Sequence, residues 1–338
     1  MLNKAIIDLN VIRKNAKSIK NSLNQGVKFC AVVKADAYGH GAEMVANAIY
    51  DICDCYAVSL VEEGARLRRS GIDKDILLLI PPCRQEIERC VALNLTMTIQ
   101  NKKKLRYIDR LAKSHGKTAK IHIPFNTGMN RLGLDSLKQL QDFIDEAKRC
   151  QNVNIEGLFS HYANPQSERM RKKATERFLL AIKVVKSYNS KVICHISASG
   201  GLLAGEQMDM VRVGILLYGY YPFDKKSIKV KPALTLKVLA IGVRNIKRGE
   251  GILYGKTRQT KSVLAQLIRF GYADGLIRRK TKGQLNNRCM DISALKKKSS
   301  SKRWITLPPI EVLAKQEGTI TYEILTKITM RAQKIYKK

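Results

Sequence analysis

The chain has 338 residues, enough for two domains, and its hydrophobic share of 45% is ordinary for a protein that buries a core. It has no apolar run long enough for a membrane span and no signal-peptide pattern, so we expect a cytoplasmic protein without membrane contact. The net charge of +34 is spread along the chain, which favours solvated helix faces over a specific nucleic-acid partner. The eight cysteines lack zinc-ligand spacing, so we expect free thiols and no metal site.

The first two thirds of the chain alternate between short β-branched runs and helical patterns. In chain order, strands are predicted at 27–33, 55–60, 75–80, 95–100, 119–124, 153–160, 191–196 and within 208–219. Between them, the segments 41–52, 61–71 and 136–150 place apolar residues three and four apart, as amphipathic helices do. This alternation predicts a (β/α)8 TIM barrel over residues 1–222. An open doubly wound sheet is disfavoured because no GxGxxG motif follows the first strand.

The pattern of apolar residues changes after residue 222. Short apolar runs broken by glycine occupy 232–255, 262–275 and 308–328. We therefore predict a smaller, mainly β C-terminal domain over residues 223–338. The stretch 296–303, which is rich in serine and lysine, is predicted to be a loop.

Polar residues follow several predicted strands, where a barrel carries its reactive groups. They are Lys34 after the first strand, Arg131 after the fifth, His161 after the sixth, His195 at the end of the seventh, and Arg212 with Gly214 in the eighth. A partly buried lysine has a lowered pKa and is nucleophilic, and its best-known use is to bind pyridoxal phosphate. The small residues of "SASGG" and "VRVGI" suit a phosphate held by backbone N–H groups and a hydroxyl.

Several motifs occur along the chain in the order typical of one family. They are "AVVKADAYGHG", "NTGMNRLG", "LFSHYAN", "MVRVGILLYG", "ILYG", "GYADG", "RCMD" and "GTITYEILTKI". Over nearly its whole length the chain resembles the alanine racemases. The resemblance implies a pyridoxal-phosphate enzyme that interconverts L-alanine and D-alanine and supplies D-alanine for peptidoglycan. It also implies a homodimer in which the C-terminal domain contributes to the partner's active site.

The resemblance also assigns roles to residues by their position. Lys34 and Tyr254 would be the two catalytic bases, and Lys34 would also bind the cofactor covalently. The residues implied for cofactor binding are Tyr38, His161, His195, Ser199, Gly200, Arg212, Gly214, Ile215 and Tyr322. Arg212 would face the pyridine nitrogen, with His195 behind it. Arg131 and Met290 would contact the substrate carboxylate, and Tyr272 and Asp291 would lie at the entrance.

Three stretches depart from the family pattern. Pro124 stands where a lysine that orients the arginine is usual, and Asn126 replaces an aspartate. The segment between "GYADG" and "RCMD" is shorter than usual, which predicts a trimmed β domain. These departures keep open a racemase of wider substrate range and a weakened or decayed homologue that retains the cofactor.

Two further hypotheses assign the chain a function other than racemisation. A decarboxylase on the same barrel is disfavoured by Arg212, because we would expect an acidic residue at the ring nitrogen in that enzyme. A nucleic-acid-binding protein is suggested by the charge alone.

Overall fold

The computed structural model describes residues 2–279, 284–296 and 303–338. They divide into two compact units. The larger, which we call the barrel unit, comprises Ile12–Ala37 and Ala42–Lys231. The smaller, which we call the C-terminal unit, comprises the described residues of Met1–Val11, Tyr38–Gly41 and Pro232–Lys338. No helix in the described ranges has the length and apolar character needed to cross a bilayer.

Strands and helices are numbered in chain order. The strands are β1 (Lys4–Asp8), β2 (Lys28–Val32), β3 (Cys55–Val58), β4 (Ile76–Leu78), β5 (Met97–Thr98), β6 (Ala119–Pro124), β7 (Val153–Phe159), β8 (Ile193–His195), β9 (Met210–Val213), β10 (Leu234–Ile246), β11 (Val263–Ile268), β12 (Ser293–Lys296), β13 (Trp304–Thr306) and β14 (Gln333–Lys337). The α-helices are α1 (Leu9–Asn21), α2 (Ala42–Ala48), α3 (Val61–Arg69), α4 (Ile87–Ala92), α5 (Lys102–Ser114), α6 (Leu137–Ala147), α7 (Glu168–Tyr188), α8 (Ser199–Leu203), α9 (Ile310–Glu317) and α10 (Thr321–Ile328).

The barrel unit is a closed ring of parallel strands. Hydrogen bonds join β4, β3, β2 and β9 in one run and β5, β6, β7 and β8 in another. A bridge between Leu77 and Thr96 joins β4 to the start of β5, and one between Ala198 and Arg212 joins the end of β8 to β9. Each predicted barrel strand contains an observed one, so the TIM barrel is confirmed.

The predicted helices of the barrel also form, within the predicted segments. Segments 41–52, 61–71 and 136–150 contain α2, α3 and α6. Helix α6 begins at a Ser136 cap that accepts a hydrogen bond from the Gln139 backbone N–H, 3.1 Å away. Its apolar stripe buries Leu140, Phe143 and Ile144, which is the spacing that predicted it.

The C-terminal unit contains a mixed sheet in the order β12-β11-β10-β1-β14, with β13 also paired to β10. Strand β1 runs antiparallel to β10 and parallel to β14, so the first strand of the chain belongs to the C-terminal sheet. Strand β1 was not among the predicted strands. Its signal is a strict alternation in which Ala5 and Ile7 are fully buried.

The prediction that segment 308–328 is part of the β structure is wrong, because this segment forms α9 and α10. Pro309 precedes the first helical residue, where its missing N–H costs nothing. Gly318 then ends α9 with a left-handed φ of 71°, which a glycine adopts without strain. Of the predicted loop 296–303, residues 297–302 lie outside the described residues.

Gly39 is a position where only glycine fits. Its φ is 80°, and a Cβ there would collide with the backbone oxygen of Leu325 in α10 and lie 2.5 Å from Thr329 Oγ1. The same hydroxyl donates a hydrogen bond to the Gly39 carbonyl oxygen at 2.9 Å. The missing side chain therefore lets residues 38–41 pack directly against α10.

Replacing Gly39 with alanine should lower the free energy of unfolding more than replacing Gly26 does. Gly26 has the same φ of 80°, and a Cβ there would meet nothing within 4 Å. The two variants therefore share the backbone strain, and only Gly39→Ala adds the collision, worth about 1–3 kcal/mol. Urea unfolding of both variants measures the difference. Equal losses would show that the packing at Gly39 relaxes without cost.

Candidate active site

Lys34 lies two residues after the end of β2 and opens an unusual turn, Lys34–Tyr38. The four residues after the lysine have φ values of 49°, 53°, 53° and 53°, and none of them is glycine. A left-handed conformation costs an L-residue about 1–2 kcal/mol, so the surroundings must hold this turn in place. Strain of this kind clusters at functional sites.

Hydrogen bonds at both ends fix this turn. The Ala37 N–H donates to the Val33 carbonyl oxygen at 2.8 Å. Asp36 Oδ1 accepts from the Ala42 N–H at 2.9 Å, at the start of α2. The turn is therefore tied to the strand before it and to the helix after it.

Glu63 supports the same turn from a neighbouring strand–helix connection. Its Oε1 accepts from the Ala35 N–H at 2.6 Å. Its Oε2 accepts from the N–H groups of Ser59 and Leu60 at 2.8 and 3.0 Å, at the start of α3. One carboxylate thus joins the end of β3 to the residue after Lys34. Glu63 was not among the predicted site residues, because "VEEG" indicates only the start of a helix.

The environment lowers the pKa of the Lys34 amine below its ordinary value. Burial is the largest cause, and the positive charge of Arg131 acts in the same direction. The Glu63 carboxylate opposes them by favouring the charged amine. Lys34 therefore has the lowered pKa that is expected of a nucleophilic lysine.

Arg212, in β9, is buried with its guanidinium surrounded by acceptors. It donates to the carbonyl oxygens of Ser160 at 2.7 Å, Ile196 at 3.1 Å and His195 at 3.2 Å. It also contacts His195 Nδ1 and lies 3.4 Å from His161 Nδ1. Burial lowers its pKa to about 10, so the group stays charged at neutral pH.

A second histidine lies behind His195. A guanidinium only donates, so His195 Nδ1 must accept from Arg212 and its proton must be on Nε2. That Nε2 is 3.0 Å from Nδ1 of His122, in β6. Burial lowers the pKa of His122 to about 3 and that of His195 well below its ordinary value, so both are neutral. A Cβ at Gly157 would collide with the His122 ring.

His122 was not among the predicted site residues. The only sequence signal is its inward-facing position in the strand "AKIHIP", where an apolar residue is usual. His161 was predicted, and the structure places it beside the same charges. Burial lowers the pKa of His161 to about 3, helped by the positive charges of Arg212, Arg131 and Lys34.

The predicted phosphate-binding residues meet at two short helical turns. Ser199 begins α8, and Ile215 begins a 3₁₀ turn that Gly214 precedes. Ser199 Oγ accepts from the Gly214 N–H at 3.2 Å, which joins the two turns. Backbone N–H groups in a first helical turn, such as those of Gly200 and Ile215, lack an intrahelical acceptor. This donor set suits an anion such as phosphate.

The loop of Arg131 is ordered by Asn126. The Asn126 amide nitrogen donates to Asn130 Oδ1 at 2.9 Å and to Asp135 Oδ1 at 2.7 Å. Pro124, in β6, has no side-chain donor or acceptor. Within the described residues, the Arg131 guanidinium makes no hydrogen bond or ion pair. Asn126 therefore closes the loop while the arginine remains available to a ligand.

In the C-terminal unit, Tyr38 and Tyr322, both predicted to bind the cofactor, lie together. Their ring centroids are 5.9 Å apart, with the planes tilted by 53°. Burial raises the pKa of Tyr322 to about 12. Burial is also the largest cause that raises the pKa of Tyr38, and the neighbouring Tyr322 is the second. Both phenols are therefore protonated at neutral pH and can donate hydrogen bonds.

The predicted entrance residues also meet in the C-terminal unit. The Tyr272 N–H donates to the Cys289 carbonyl oxygen at 3.1 Å, and the next N–H donates to that of Met290 at 3.0 Å. Asp291 Oδ1 pairs with Arg331 Nη2 at 2.8 Å. The motifs "GYADG" and "RCMD" thus form one local structure. Arg331 was missed, because nothing in the sequence marks an arginine near the C-terminus as its partner.

Tyr254 is 64% exposed. Its ring lies 5.9 Å from the guanidinium carbon of Arg278. Its hydroxyl has no hydrogen-bond partner among the residues that the structure describes. The phenol is therefore exposed to solvent.

Two family profiles match the chain. The profile "Alanine racemase, N-terminal domain" covers residues 7–222, and "Alanine racemase, C-terminal domain" covers residues 233–336. Among curated proteins, an alanine racemase of Carboxydothermus hydrogenoformans is 33% identical, with 98% of each chain covered. One of Aquifex aeolicus is 30% identical, with 98% of this chain and 99% of that protein covered.

Solved structures give a similar result. The alanine racemase of Clostridium difficile 630 has a TM-score of 0.94 and 31% identity, and the match covers 100% of this chain and 96% of that one. The alanine racemase of Bacillus anthracis with bound L-Ala-P has a TM-score of 0.91 and 27% identity, with 99% and 95% covered.

Replacing Glu63 with glutamine should lower the pKa of Lys34 further, because the one charge that raises it is removed. The pH dependence of Lys34 acetylation, followed by mass spectrometry, measures this, and its inflection should move to lower pH. Glu62→Gln is the matched control, since the neighbouring carboxylate pairs with Arg69 and Arg89 instead. An unchanged inflection in Glu63→Gln would contradict the expectation.

Proposed function

This chain belongs to the alanine racemase family, and on that premise we propose that it interconverts L-alanine and D-alanine with pyridoxal phosphate as cofactor. The observation that carries the proposal is the position of Lys34. In a chain that matches alanine racemases over its full length, this lysine follows the first barrel strand and has a lowered pKa. No described contact favours a decayed homologue over an active enzyme.

The barrel unit offers a group for each functional group of pyridoxal phosphate. We propose that the Lys34 amine binds its aldehyde carbon and that Arg212 faces its ring nitrogen. Ser199 Oγ and the N–H groups of Gly200 and Ile215 would hold the phosphate. When bound, the cofactor stabilises the carbanion that the substrate becomes on losing its α-proton.

Arg212 fits the proposed role because its protonation cannot change. A guanidinium has no acceptor, so it cannot receive a hydrogen bond from a protonated ring nitrogen and keeps that nitrogen unprotonated. We infer that this weakens electron withdrawal enough to suppress decarboxylation and transamination. His195 and His122 support this arrangement as neutral groups behind the arginine.

Racemisation removes the α-proton on one face of the substrate and returns a proton on the other. We propose Lys34 and Tyr254 as the two bases. The lowered pKa of Lys34 favours the neutral amine, which is the form that accepts a proton. The exposure of Tyr254 and its free hydroxyl support a role in the partner subunit's site, within a homodimer to which residues 223–338 contribute.

The remaining assignments concern binding and entry. We propose that Arg131 and Met290 contact the substrate carboxylate and that Tyr272 and Asp291 line the entrance. Tyr38 and Tyr322 would donate hydrogen bonds to the cofactor phosphate, which suits their protonated state. A cytoplasmic enzyme that supplies D-alanine for peptidoglycan remains a prediction of the sequence.

The purified protein with added pyridoxal phosphate should exchange the α-hydrogen of L-alanine in D₂O and form D-alanine. Lys34→Ala should abolish both reactions. Lys28→Ala, at the exposed opposite end of the same strand, should preserve them. Absence of D-alanine from cofactor-saturated wild-type protein would refute the proposed activity, and release of carbon dioxide would identify a decarboxylase.

Tyr254→Phe should impair the two directions unequally, because it removes the base on only one face. One direction of α-hydrogen exchange should fall by about 100-fold or more, the usual contribution of a positioned base. Deuterium exchange measured separately from L-alanine and D-alanine tests this. Tyr188→Phe, on α7 of the barrel, serves as a control. Equal and mild losses from Tyr254→Phe would make this tyrosine merely structural.

A further inference from the structure

The turn that carries Tyr254 holds a demanding backbone conformation. Leu253 has a φ of 54° and Gly255 a φ of 125°. A positive φ is unfavourable for leucine, so the turn needs contacts that outweigh this cost. The Tyr254 side chain provides no hydrogen bond of its own within the described part of the chain. The support must come from residues that contact the backbone on either side of the tyrosine.

Asn286 makes these contacts. Its side-chain amide is buried, with 2% of the residue exposed, and Nδ2 donates to the Ile252 carbonyl oxygen at 2.7 Å. A Cβ at Gly255 would lie 2.5 Å from Asn286 Oδ1, so the amide packs directly against that glycine. Asn286 therefore touches the turn two residues before Tyr254 and one residue after it.

Asn286 is itself held in place. Its Oδ1 accepts from the Asn287 N–H at 2.9 Å, which fixes the direction of the amide. The preceding N–H, of Leu285, donates to the Ala294 carbonyl oxygen at 2.9 Å. Leu285 and Ile252 also belong to the same buried apolar cluster. The amide is thus carried by a segment that is anchored by hydrogen bonds and by packing.

We propose that Asn286 is a positioning residue, which fixes the turn 252–255 and thereby the direction in which Tyr254 leaves it. The functional part of this inference rests on the proposed role of Tyr254 as a base. The segment of Asn286 continues to Met290, proposed above to contact the substrate. One segment would then place a proton-transfer group and a substrate contact in a fixed relation.

Hydrogen–deuterium exchange of the full-length protein tests the structural half without cofactor or substrate. In Asn286→Ala, the backbone amides of 252–256 should exchange about tenfold faster, the fold-change expected for one lost buried hydrogen bond. Asn245→Ala is the matched control, because Asn245 is exposed on β10 of the same unit. Unchanged exchange in the turn would overturn the proposal, whether or not the protein is a racemase.

Enantiomer-resolved exchange of the α-hydrogen tests the functional half. Asn286→Ala should reduce the same direction as Tyr254→Phe, by a smaller factor, and should add little in the double variant. A loss that is equal in both directions, or that multiplies with that of Tyr254→Phe, would show that Asn286 does not act through Tyr254. If Tyr254→Phe itself is symmetric while the turn loosens, the role of Tyr254 fails and the structural half stands.

A conservative variant guards against misfolding. Asn286→Leu keeps the size and shape of the side chain and removes both the donor to Ile252 and the acceptor of the Asn287 N–H. It should reproduce both effects of Asn286→Ala while the thermal unfolding midpoint stays closer to that of the wild type. If this variant shows the amide exchange of the wild type and no difference between the two directions of α-hydrogen exchange beyond that of the wild type, the effects of Asn286→Ala come from lost packing. That result would overturn the hydrogen bond to Ile252 as their cause.

Discussion

The buried guanidinium of Arg212 constrains the architecture of the barrel site more than any other group. A charge removed from water is costly unless acceptors surround it, and these acceptors must come from several chain segments. Arg212 obtains them from the ends of two neighbouring strands, through the carbonyl oxygens of Ser160, His195 and Ile196. The same requirement fixes the tautomer of His195 and, through it, that of His122. The closed ring of parallel strands satisfies this because it brings the carboxyl ends of all its strands to one rim.

The two proposed bases share a second constraint, because each is next to residues with an unfavourable positive φ. Lys34 opens a left-handed turn, and Tyr254 follows a leucine with positive φ. In both places one buried or half-buried side chain from another segment bonds the strained backbone: Glu63 at the first and Asn286 at the second. Strain held in this way fixes the direction of a side chain more narrowly than a relaxed turn does, which is what proton transfer at a defined face requires.

Much of the fold was predictable because its signals are local. The barrel strands are short β-branched runs, and α6 shows the three- and four-residue spacing of apolar residues. The family motifs likewise marked Lys34 and Arg212. The misses are residues whose roles arise from contacts between distant segments, such as His122, Glu63, Asn286 and Arg331, and strand β1, which pairs only with strands far along the chain. The β prediction for segment 308–328 was wrong because apolar runs interrupted by glycine also fit two short helices joined at Gly318.

The departures at Pro124 and Asn126 can be understood in the same physical terms. The resemblance implies that the lysine usual at position 124 orients the arginine, whereas the Pro124 side chain has no donor or acceptor, so the order of this loop must come from other residues. Asn126 supplies this order by donating a hydrogen bond to Asp135, and Gln100 Oε1 accepts another from the Gly133 N–H at 2.7 Å. These bonds fix the backbone that carries Arg131 and leave its guanidinium without a protein partner among the described residues. With Pro124 in place of a lysine, the loop is therefore ordered by hydrogen bonds to its backbone and not by a contact to the Arg131 side chain. A carboxylate ligand could then bind the Arg131 guanidinium without first displacing a protein acceptor.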